Sequence, residues 1–358
     1  MIKPKKLQKG DKVAIVSLSS GILGEDFCKH TLEKGIERLH QLNLKPVFME
    51  NTLKGFSYIK DHPEKRAQDL KDAYYNKEIK AIICAIGGDD TYRILPYLIE
   101  DKTFIDYAKN NPKIFTGFSD TTNNHFFFHH IGIVSYYGFN FINDLAELDK
   151  EMLPYSKKSI LQTFENFSQT EIKSSDIWYE ERKKFDTTEV NTPRISHKET
   201  RGYEVLRGSG IVSGKLIGGC LESIYDMFYG TRHQEEKEIY EKYGILEQTG
   251  LWQDKILFIE TSEEKPTPER YKELLEGLKV KKVLEKVKAI LVGKPQDEAF
   301  YEECKKILLD ATALYHTPIL YNMNFGHGYP RTILPYGLEA QLDLDDKKIT
   351  IKETFFQE

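Results

Sequence analysis

The sequence predicts an α/β fold made of two domains, the first of which holds a parallel sheet covered by helices on both faces. Short apolar runs alternate with amphipathic segments from Val13 to Phe139. Repeated β-α-β units of this kind form parallel sheets with helices packed on both faces. The chain has 358 residues, which corresponds to two domains at roughly 100–200 residues each.

The first part of the chain alternates strand and helix signals. Leu32, Ile36 and Leu39 recur at helical spacing, and Pro63 stands where a helix can begin. The predicted strands are residues 12–20, 46–49, 81–86, 114–118 and 133–139, and the predicted helices are residues 27–42, 63–75, 91–99 and 121–130. These elements make up a predicted N-terminal α/β domain over residues 1–165.

The second part of the chain begins after a polar segment. Residues 166–207 are charged and lack clear periodicity. Structureless stretches of this length are usually functional loops or linkers, so we predict a linker or active-site loop there. Residues 208–358 form the second predicted domain. Its predicted strands are 255–260, 289–293 and 318–325, its predicted helices are 268–278 and 298–315, and its tail alternates like a hairpin about Asp345 and Asp346.

Composition and charge exclude several classes of protein. Hydrophobic residues make up 40% and charged residues 30%, and the net charge of −5 gives no basic footprint for nucleic acid. The apolar run 13–16 is too short for a signal peptide, and no run approaches the ~18 apolar residues of a membrane span. The four cysteines lie far apart without a CxxC pair, which is typical of reduced thiols. We therefore predict a cytoplasmic protein without nucleic-acid or membrane partners.

Ser119 lies at a predicted strand-to-helix corner. An apolar strand runs into it and a helix follows, so its hydroxyl is expected at the carboxyl edge of the sheet, where open α/β folds place their sites. The N–H groups of the following helix N-terminus favour developing negative charge. The segment is similar to a nucleophile elbow without the G-x-S-x-G form. Ser and Asp are also common helix N-caps, so this segment alone leaves both interpretations open.

A glycine pair, Gly87 and Gly88, follows another predicted strand and precedes Asp89, Asp90 and Thr91. Glycines let the backbone approach a ligand and present N–H groups to an anion. The loop could therefore be an oxyanion hole or bind a substrate carboxylate. It could also bind phosphate, because GGDDT resembles the loop of phosphofructokinases and NAD kinases. A simple turn that closes a buried strand is the third interpretation.

Two further residues complete a possible acyl-transfer site. His327 lies between Gly326 and Gly328 after an apolar strand, so the backbone can bend tightly and leave the imidazole reachable as a base near pH 7. Glu260 ends another apolar strand. It is either the first polar residue of a loop or a carboxylate that orients a histidine. With Ser119 and the glycine pair, these residues make up the inventory for acyl transfer.

The chain resembles the LD-carboxypeptidase family of serine peptidases, which also includes the microcin C immunity peptidases. The resemblance extends over nearly the whole chain. It rests on Gly87-Gly88, Gly117-Phe118-Ser119-Asp120, Leu257-Phe258-Ile259-Glu260, and Gly326-His327-Gly328 followed by Thr332-Ile333-Leu334-Pro335-Tyr336-Gly337. Gly218-Gly219-Cys220-Leu221 also resembles a family segment usually written G-G-N-L, with Cys220 in place of Asn. Several motifs in a fixed order are more specific than any one of them.

This resemblance implies a flavodoxin-like parallel-sheet domain at the N-terminus and a β-rich C-terminal domain of the swivelling β/β/α type. It implies Ser119 as the nucleophile, His327 as general base and then acid, and Glu260 as the group that orients His327. The backbone N–H groups of Gly88 and Asp120 would form the oxyanion hole. The resemblance also implies a homodimer, and no metal or cofactor is expected.

Smaller features bear on the substrate. Family members that trim muropeptides commonly have Arg before the glycine pair, where this chain has Ile86. The loop with Asp89 and the stretch around Trp178 look more like the microcin-immunity members, which hydrolyse the bond joining a C-terminal aspartate to a modified nucleotide. Asp89 and Trp178 are therefore candidate substrate contacts, although Trp178 could equally fasten the long loop. We predict a small peptide or peptidyl-nucleotide substrate, with muropeptide LD-carboxypeptidase activity as the alternative.

Two functions of other classes remain open. A phosphotransferase would use GGDDT to bind a nucleotide, but it needs acids for Mg²⁺ and a positive clamp, and no GTxDND-type segment is present. A non-catalytic binding module of two α/β lobes would bind peptide but leave Ser119 inert to a serine-directed acylating probe. Magnesium-dependent ATP binding and acylation of Ser119 would separate these functions from a peptidase.

Overall fold

The computed structural model describes residues 1–357 and divides into two compact units. Unit 1 comprises Met1–Asn166, Arg182–Arg194 and the C-terminal residues from Phe355. Unit 2 comprises Phe167–Glu181 and Ile195–Thr354. The polar segment 166–207, predicted to be a linker or active-site loop, is thus divided between the two units, and it contains short strands.

Unit 1 is built on a parallel sheet. Within residues 1–357, five of its strands are ordered β5-β4-β3-β1-β2, and each neighbouring pair is parallel. Their bounds are β1 Lys12–Val16, β2 Lys45–Phe48, β3 Ile79–Cys84, β4 Ile114–Gly117 and β5 Tyr136–Tyr137. The parallel sheet predicted from the sequence is confirmed. The last strand is shorter than predicted, because Ile133 pairs instead with Ile2 near the N-terminus.

The helices of unit 1 follow most of the predicted positions. Their bounds are α1 Lys29–Gln41, α2 Phe56–Asp61, α3 Pro63–Tyr75, α4 Leu95–Ile99, α5 Lys102–Asn110, α6 Thr122–His130 and α7 Pro154–Leu161. The helix predicted over residues 91–99 begins as a 3-10 turn, Thr91–Ile94. The α-helix starts only afterwards, with Pro96 in its first turn, where the missing proline N–H has no helical partner to lose. The short helices α2, α5 and α7 were not predicted.

Helix α6 fixes the end of β4, which leads to Ser119. His125 on this helix is buried and contacts Ser135 Oγ at 2.8 Å and the carbonyl oxygen of Gly117 at 3.0 Å. Burial lowers the pKa of His125 to about 3, so its imidazole is neutral at physiological pH. His125 therefore acts in packing.

A buried carboxylate fastens the segment Arg182–Arg194 to the rest of unit 1. Glu147 is 1% exposed at its side chain and contacts Arg182 Nη2 at 2.7 Å and Arg194 Nε at 2.6 Å. Burial opposes ionisation of Glu147, but the charges and hydrogen bonds of Arg194 and Arg182 hold its pKa below the ordinary value. One carboxylate thus binds two arginines that lie far along the chain.

We expect Glu147→Gln to lower the free energy of unfolding by about 3–5 kcal/mol, because removing one partner leaves buried charge uncompensated. Urea denaturation would measure the change. Glu151→Gln is the matched control, because its pair with Lys157 is exposed and such pairs contribute about 0–1 kcal/mol. In the wild-type protein this contribution should be lost as the pH falls through the depressed pKa of Glu147. Equal effects of the two substitutions would contradict the prediction.

Unit 2 is built on a larger, mixed sheet. Within residues 1–357 its order is β6-β16-β15-β10-β11-β12-β13-β9, with β10 to β13 parallel and the flanking strands antiparallel. The strands within the residues of unit 2, not all of which belong to this sheet, are β6 Thr170–Ile172, β7 Ile177–Tyr179, β8 Ser196–Lys198, β9 Glu204–Arg207, β10 Ile211–Cys220, β11 Lys255–Glu260, β12 Ala289–Gly293, β13 Ile319–Met323, β14 Leu334–Pro335, β15 Glu339–Asp343 and β16 Lys348–Ile351. Strands β7 and β8 pair separately. The predicted C-terminal hairpin is present as β15 and β16.

The helices of unit 2 are α8 Leu221–Tyr229, α9 Gln234–Tyr243, α10 Pro268–Val280, α11 Val283–Lys286 and α12 Tyr301–Ala311. Helix α12 is shorter than the predicted 298–315. Phe300 adopts a left-handed conformation with φ +50° directly before it, so the helix cannot extend further towards the N-terminus. The four cysteines, all within the described residues, are buried and form no disulfide bond. None of the helices described in residues 1–357 has the length and apolar character to cross a membrane.

Candidate active site

In unit 1, Ser119 occupies a strained turn between β4 and α6. Its φ is +63°, which is uncommon for a residue other than glycine and often marks a functional site. The half-buried serine begins a 3-10 turn, its N–H donates to Tyr137 Oη at 3.2 Å, and its carbonyl accepts from Thr122 Oγ1 at 2.6 Å. This geometry fixes the serine backbone at the carboxyl end of an interior strand.

The glycine pair lies against this turn. A Cβ placed on Gly87 would be 3.1 Å from Ser119 Oγ, so Gly87 is within van der Waals reach of the hydroxyl. Gly88 has φ +153°, and a Cβ there would overlap Ser19 Oγ. Both positions therefore require glycine for close approach of the backbone. Asp89, which follows, is exposed.

The side chain of Asp120 joins the glycine loop to the serine turn. It is buried and accepts from Ser19 Oγ at 2.6 Å, from the Thr91 N–H at 2.8 Å and from Asn123 Nδ2 at 3.0 Å. Burial raises the pKa of Asp120. Three segments that are far apart in sequence are thereby held together. Asp120 was predicted to act through its backbone N–H, and this role of its carboxylate was not predicted.

The loop after Gly88 has a second anchor that was not predicted from the sequence. Asp90 contacts Arg66 Nη1 at 2.6 Å and Arg93 Nη1 at 3.3 Å, and the side chain of Arg66 is fully buried. Arg66 also donates to the Leu18 carbonyl at 3.1 Å. The sequence did not indicate this role of Arg66 on helix α3, because an arginine on an amphipathic helix is ordinarily exposed.

In unit 2, Glu260 and His327 form a buried pair. The His327 Nδ1–H donates to Glu260 Oε2 at 2.7 Å, and the same oxygen accepts the His327 backbone N–H at 3.1 Å. Glu260 is 1% exposed at the end of β11, and His327 is 6% exposed. This contact orients the imidazole and places a proton on Nδ1, as an acidic residue does for the histidine of a serine-hydrolase triad.

The opposite ring nitrogen of His327 also contacts a carboxylate. Nε2 lies 2.8 Å from Glu263 Oε2, and the Glu263 side chain is 65% exposed. Burial disfavours the charged imidazole, but the charge of Glu260 and hydrogen bonds to Glu260 and Glu263 raise the pKa of His327 to about 10. The hydrogen bond to His327 lowers the pKa of Glu263 to about 2. The ring is thus held as an imidazolium, and Glu263 was not among the predicted site residues.

Behind this pair, a third carboxylate supports the loop after β11. Glu222 is buried and accepts from the Ser262 N–H at 3.0 Å and from Ser262 Oγ at 2.8 Å. Burial raises the pKa of Glu222 and that of neighbouring Cys220. The Sγ of Cys220 lies 3.4 Å from Glu222 Oε2. Cys220, which stands where the resembling family segment usually has asparagine, therefore contacts an anchoring carboxylate.

Trp178 lies in β7 and contacts other side chains of unit 2. Its ring stacks on His197 with centroids 4.2 Å apart, and Lys294 Nζ lies 4.8 Å from its ring centroid. Lys294 is buried and pairs with Glu199 at 3.0 Å and Glu298 at 2.6 Å. These contacts fasten the short strand that carries Trp178, and they leave the ring half-buried.

Gly326→Ala tests how tightly the Glu260–His327 pair is constrained. Gly326 has φ +81°, and a Cβ there would lie 2.5 Å from Glu260 Oε2. We expect the methyl group to displace the carboxylate and to lower turnover by about tenfold or more, as misplaced catalytic groups do. Gly244→Ala is the matched control, because it has φ +60° and no atom within 4 Å of the added carbon. Steady-state kinetics would show a loss in the first variant only; equal rates would argue against the constraint.

Comparison with known proteins independently supports the family resemblance described above. The protein-family model of the LD-carboxypeptidase N-terminal domain matches residues 13–138, and that of the LD-carboxypeptidase C-terminal domain matches residues 213–342. The chain is 27% identical to the microcin C7 self-immunity protein MccF of Escherichia coli, over 91% of this chain and 89% of that protein. It is 26% identical to a probable murein peptide carboxypeptidase of Bacillus subtilis, over 98% and 94%.

Solved structures agree with the sequence matches. An MccF-like protein from Streptococcus pneumoniae, solved in complex with AMP, is 46% identical with a TM-score of 0.91, covering 97% of this chain and 99% of that one. Escherichia coli MccF in complex with aspartyl sulfamoyl adenosine has a TM-score of 0.81 at 24% identity, with full coverage of both chains. At that identity the second structure supports the fold alone.

Proposed function

Because the chain belongs to the LD-carboxypeptidase family, we propose that it is a serine carboxypeptidase that hydrolyses an amide bond at the C-terminal end of a small peptide or aminoacyl-nucleotide substrate. The observation that carries this proposal is the buried hydrogen bond between His327 Nδ1 and Glu260, at 2.7 Å. A carboxylate in that position leaves Nε2 as the proton-transferring nitrogen. The strained turn at Ser119 supplies the matching nucleophile.

The proposed roles follow from the chemistry of each group. Ser119 Oγ attacks the scissile carbonyl, and neutral His327 takes the hydroxyl proton at Nε2. The backbone N–H groups of Gly88 and Asp120 stabilise the oxyanion, and such donors are worth roughly 3–4 kcal/mol in other acyl-transfer enzymes. Glu260 stabilises the imidazolium that results.

The second half of the proposed reaction returns the enzyme to its starting state. The imidazolium of His327 gives its Nε2 proton to the leaving nitrogen as the acyl–nitrogen bond breaks, which leaves an ester on Ser119. Water then attacks this ester, with His327 taking its proton, and the acid product leaves as Ser119 regains its hydrogen. The buried carboxylates of Asp120 and Glu222 hold the supporting loops but take no proton in this scheme.

We propose an aminoacyl-nucleotide substrate, as for the microcin-immunity members. The support is the resemblance to the AMP-bound Streptococcus pneumoniae protein and to Escherichia coli MccF. Asp89 and Trp178 are the proposed substrate contacts, the first because it is exposed beside Gly88 and the second through its half-buried ring. Murein peptide cleavage is the second candidate, favoured by the likeness to the Bacillus subtilis carboxypeptidase.

A turnover assay separates these functions. Purified protein would be incubated with aspartyl sulfamoyl adenosine and with an L,D-linked muropeptide tetrapeptide, and the products identified by mass spectrometry. Release of aspartate alone supports the proposal, whereas release of terminal D-Ala alone supports the murein alternative. No cleavage of either, together with no labelling of Ser119 by a serine-directed acylating probe, would contradict a peptidase.

A further inference from the structure

The contact between Glu263 and His327 occupies the nitrogen that the proposed reaction needs. Nε2 lies 2.8 Å from Glu263 Oε2 while Nδ1 lies 2.7 Å from Glu260 Oε2. With a carboxylate at each nitrogen, the ring is held as an imidazolium that can donate two protons and accept none. General-base catalysis therefore requires that Glu263 leave Nε2.

The loop that carries Glu263 is anchored on both sides of this residue. Ser262 is held by buried Glu222 through its N–H and its hydroxyl. Lys265 Nζ contacts Asp297 Oδ2 at 2.6 Å, and its N–H donates to the Ser262 carbonyl at 3.1 Å. The backbone is thus fixed, whereas the Glu263 side chain is 65% exposed. Rotation of this one side chain can release the histidine without any change in the loop.

We infer that Glu263 is a specificity residue that binds the α-ammonium group of the substrate and, in doing so, releases His327 Nε2 to act as the base. This inference rests on the proposed function. A cationic group can replace the imidazolium as the partner of Glu263, so that one charged pair is exchanged for another. A neutral amide in the same place offers no such exchange. After the exchange, the imidazolium gives its Nε2 proton to water.

The two substrate classes differ in the charge of the nitrogen next to the scissile carbonyl. In an aminoacyl-nucleotide the amino acid at the scissile carbonyl has a free α-ammonium group. In an L,D-linked muropeptide the corresponding nitrogen is already acylated and neutral. Glu263 therefore favours aminoacyl adducts over peptides with a blocked amine, and it keeps the base inactive until such a substrate is bound.

The test uses two substrates that differ only at this nitrogen, aspartyl sulfamoyl adenosine and its N-acetyl derivative. We expect the wild-type protein to prefer the free amine by about tenfold or more in kcat/KM, since tenfold corresponds to 1.4 kcal/mol of charge-assisted contact. In Glu263→Gln the preference should fall to about threefold or less, with faster cleavage of the acetylated substrate. Glu264→Gln is the matched control, because Glu264 contacts Arg232 at 3.5 Å instead of His327, and it should behave as wild type.

An undiminished preference for the free amine in Glu263→Gln would overturn the inference. A second readout needs no turnover, so it can test the inference separately from the proposed hydrolysis. The His327 imidazole would be followed by NMR in ¹⁵N-histidine protein that also carries Ser119→Ala, with His327→Asn used to identify its signal. Aspartyl sulfamoyl adenosine should shift this signal towards the neutral imidazole and the N-acetyl derivative should not. An equal response to both ligands, or to neither, would also overturn the inference.

Discussion

Ser119→Ala is expected to lower kcat by about 10³- to 10⁶-fold, the range found when the nucleophile of a serine triad is removed. The substitution deletes one oxygen atom from a half-buried residue whose backbone contacts stay in place. The fold should therefore be preserved, and substrate binding should change little. Stopped assays with mass spectrometry would measure kcat, and thermal unfolding would verify the fold.

Ser57→Ala serves as the control for the loss of a hydroxyl, because Ser57 lies exposed on α2. Its turnover should remain within about twofold of the wild-type value, as for most surface substitutions. If Ser119→Ala kept near-wild-type turnover, Ser119 would not be the nucleophile. The Glu260–His327 pair would then have to activate water or another group.

Glu260→Gln is expected to lower kcat by about 10²- to 10⁴-fold, which is less than the loss of the serine. The amide keeps the size of the side chain but removes the charge that stabilises the imidazolium of His327. It also presents either an oxygen or an N–H to Nδ1, so the preferred tautomer is weakened. Single-turnover kinetics at several pH values would measure the effect on chemistry alone.

Glu260→Gln should also shift the pH dependence of kcat/KM in a defined direction. The charge of Glu260 raises the pKa of His327, and the base is active only when it is deprotonated. Removing that charge should move the acid limb of the kcat/KM profile to lower pH while lowering its plateau. Glu247→Gln, an exposed glutamate of unit 2, should leave both limb and plateau unchanged. An unshifted limb in Glu260→Gln would mean that Glu260 has only a structural role.

Much of the fold could be predicted from the sequence because the apolar strands are short and have clear boundaries. Strand β11 and helix α3 coincide with their predicted bounds, since Glu260 ends one and Pro63 begins the other. Ser119 and Glu260 were found by the same signal, a polar residue at the end of an apolar strand, and His327 was found by the glycines on either side of it. Such boundaries are local, and local patterns are what a single sequence displays.

The residues that the sequence did not reveal act through long-range contacts. Asp90 and Arg66 are 24 positions apart, and Ser19 and Asp120 are 101 positions apart. Glu222 and Glu263 look like ordinary surface glutamates, because nothing near them in sequence indicates burial or a histidine partner. Long-range contacts also hold the segment Arg182–Arg194 in unit 1. Glu147 binds Arg182 and Arg194, two charged residues in a polar stretch that has no clear periodicity.

The division of the chain into units has a consequence for how relatives could exchange parts. Unit 1 consists of separate stretches at the start, middle and end of the chain, and unit 2 fills the gaps between them. A single crossover between two related genes would therefore always produce a hybrid in which at least one unit is a mosaic of both parents. Recombination that respects the architecture must transfer Arg182–Arg194 and the C-terminal residues from Phe355 together with Met1–Asn166. Gene truncation faces the same constraint, because no single cut separates one unit from every part of the other.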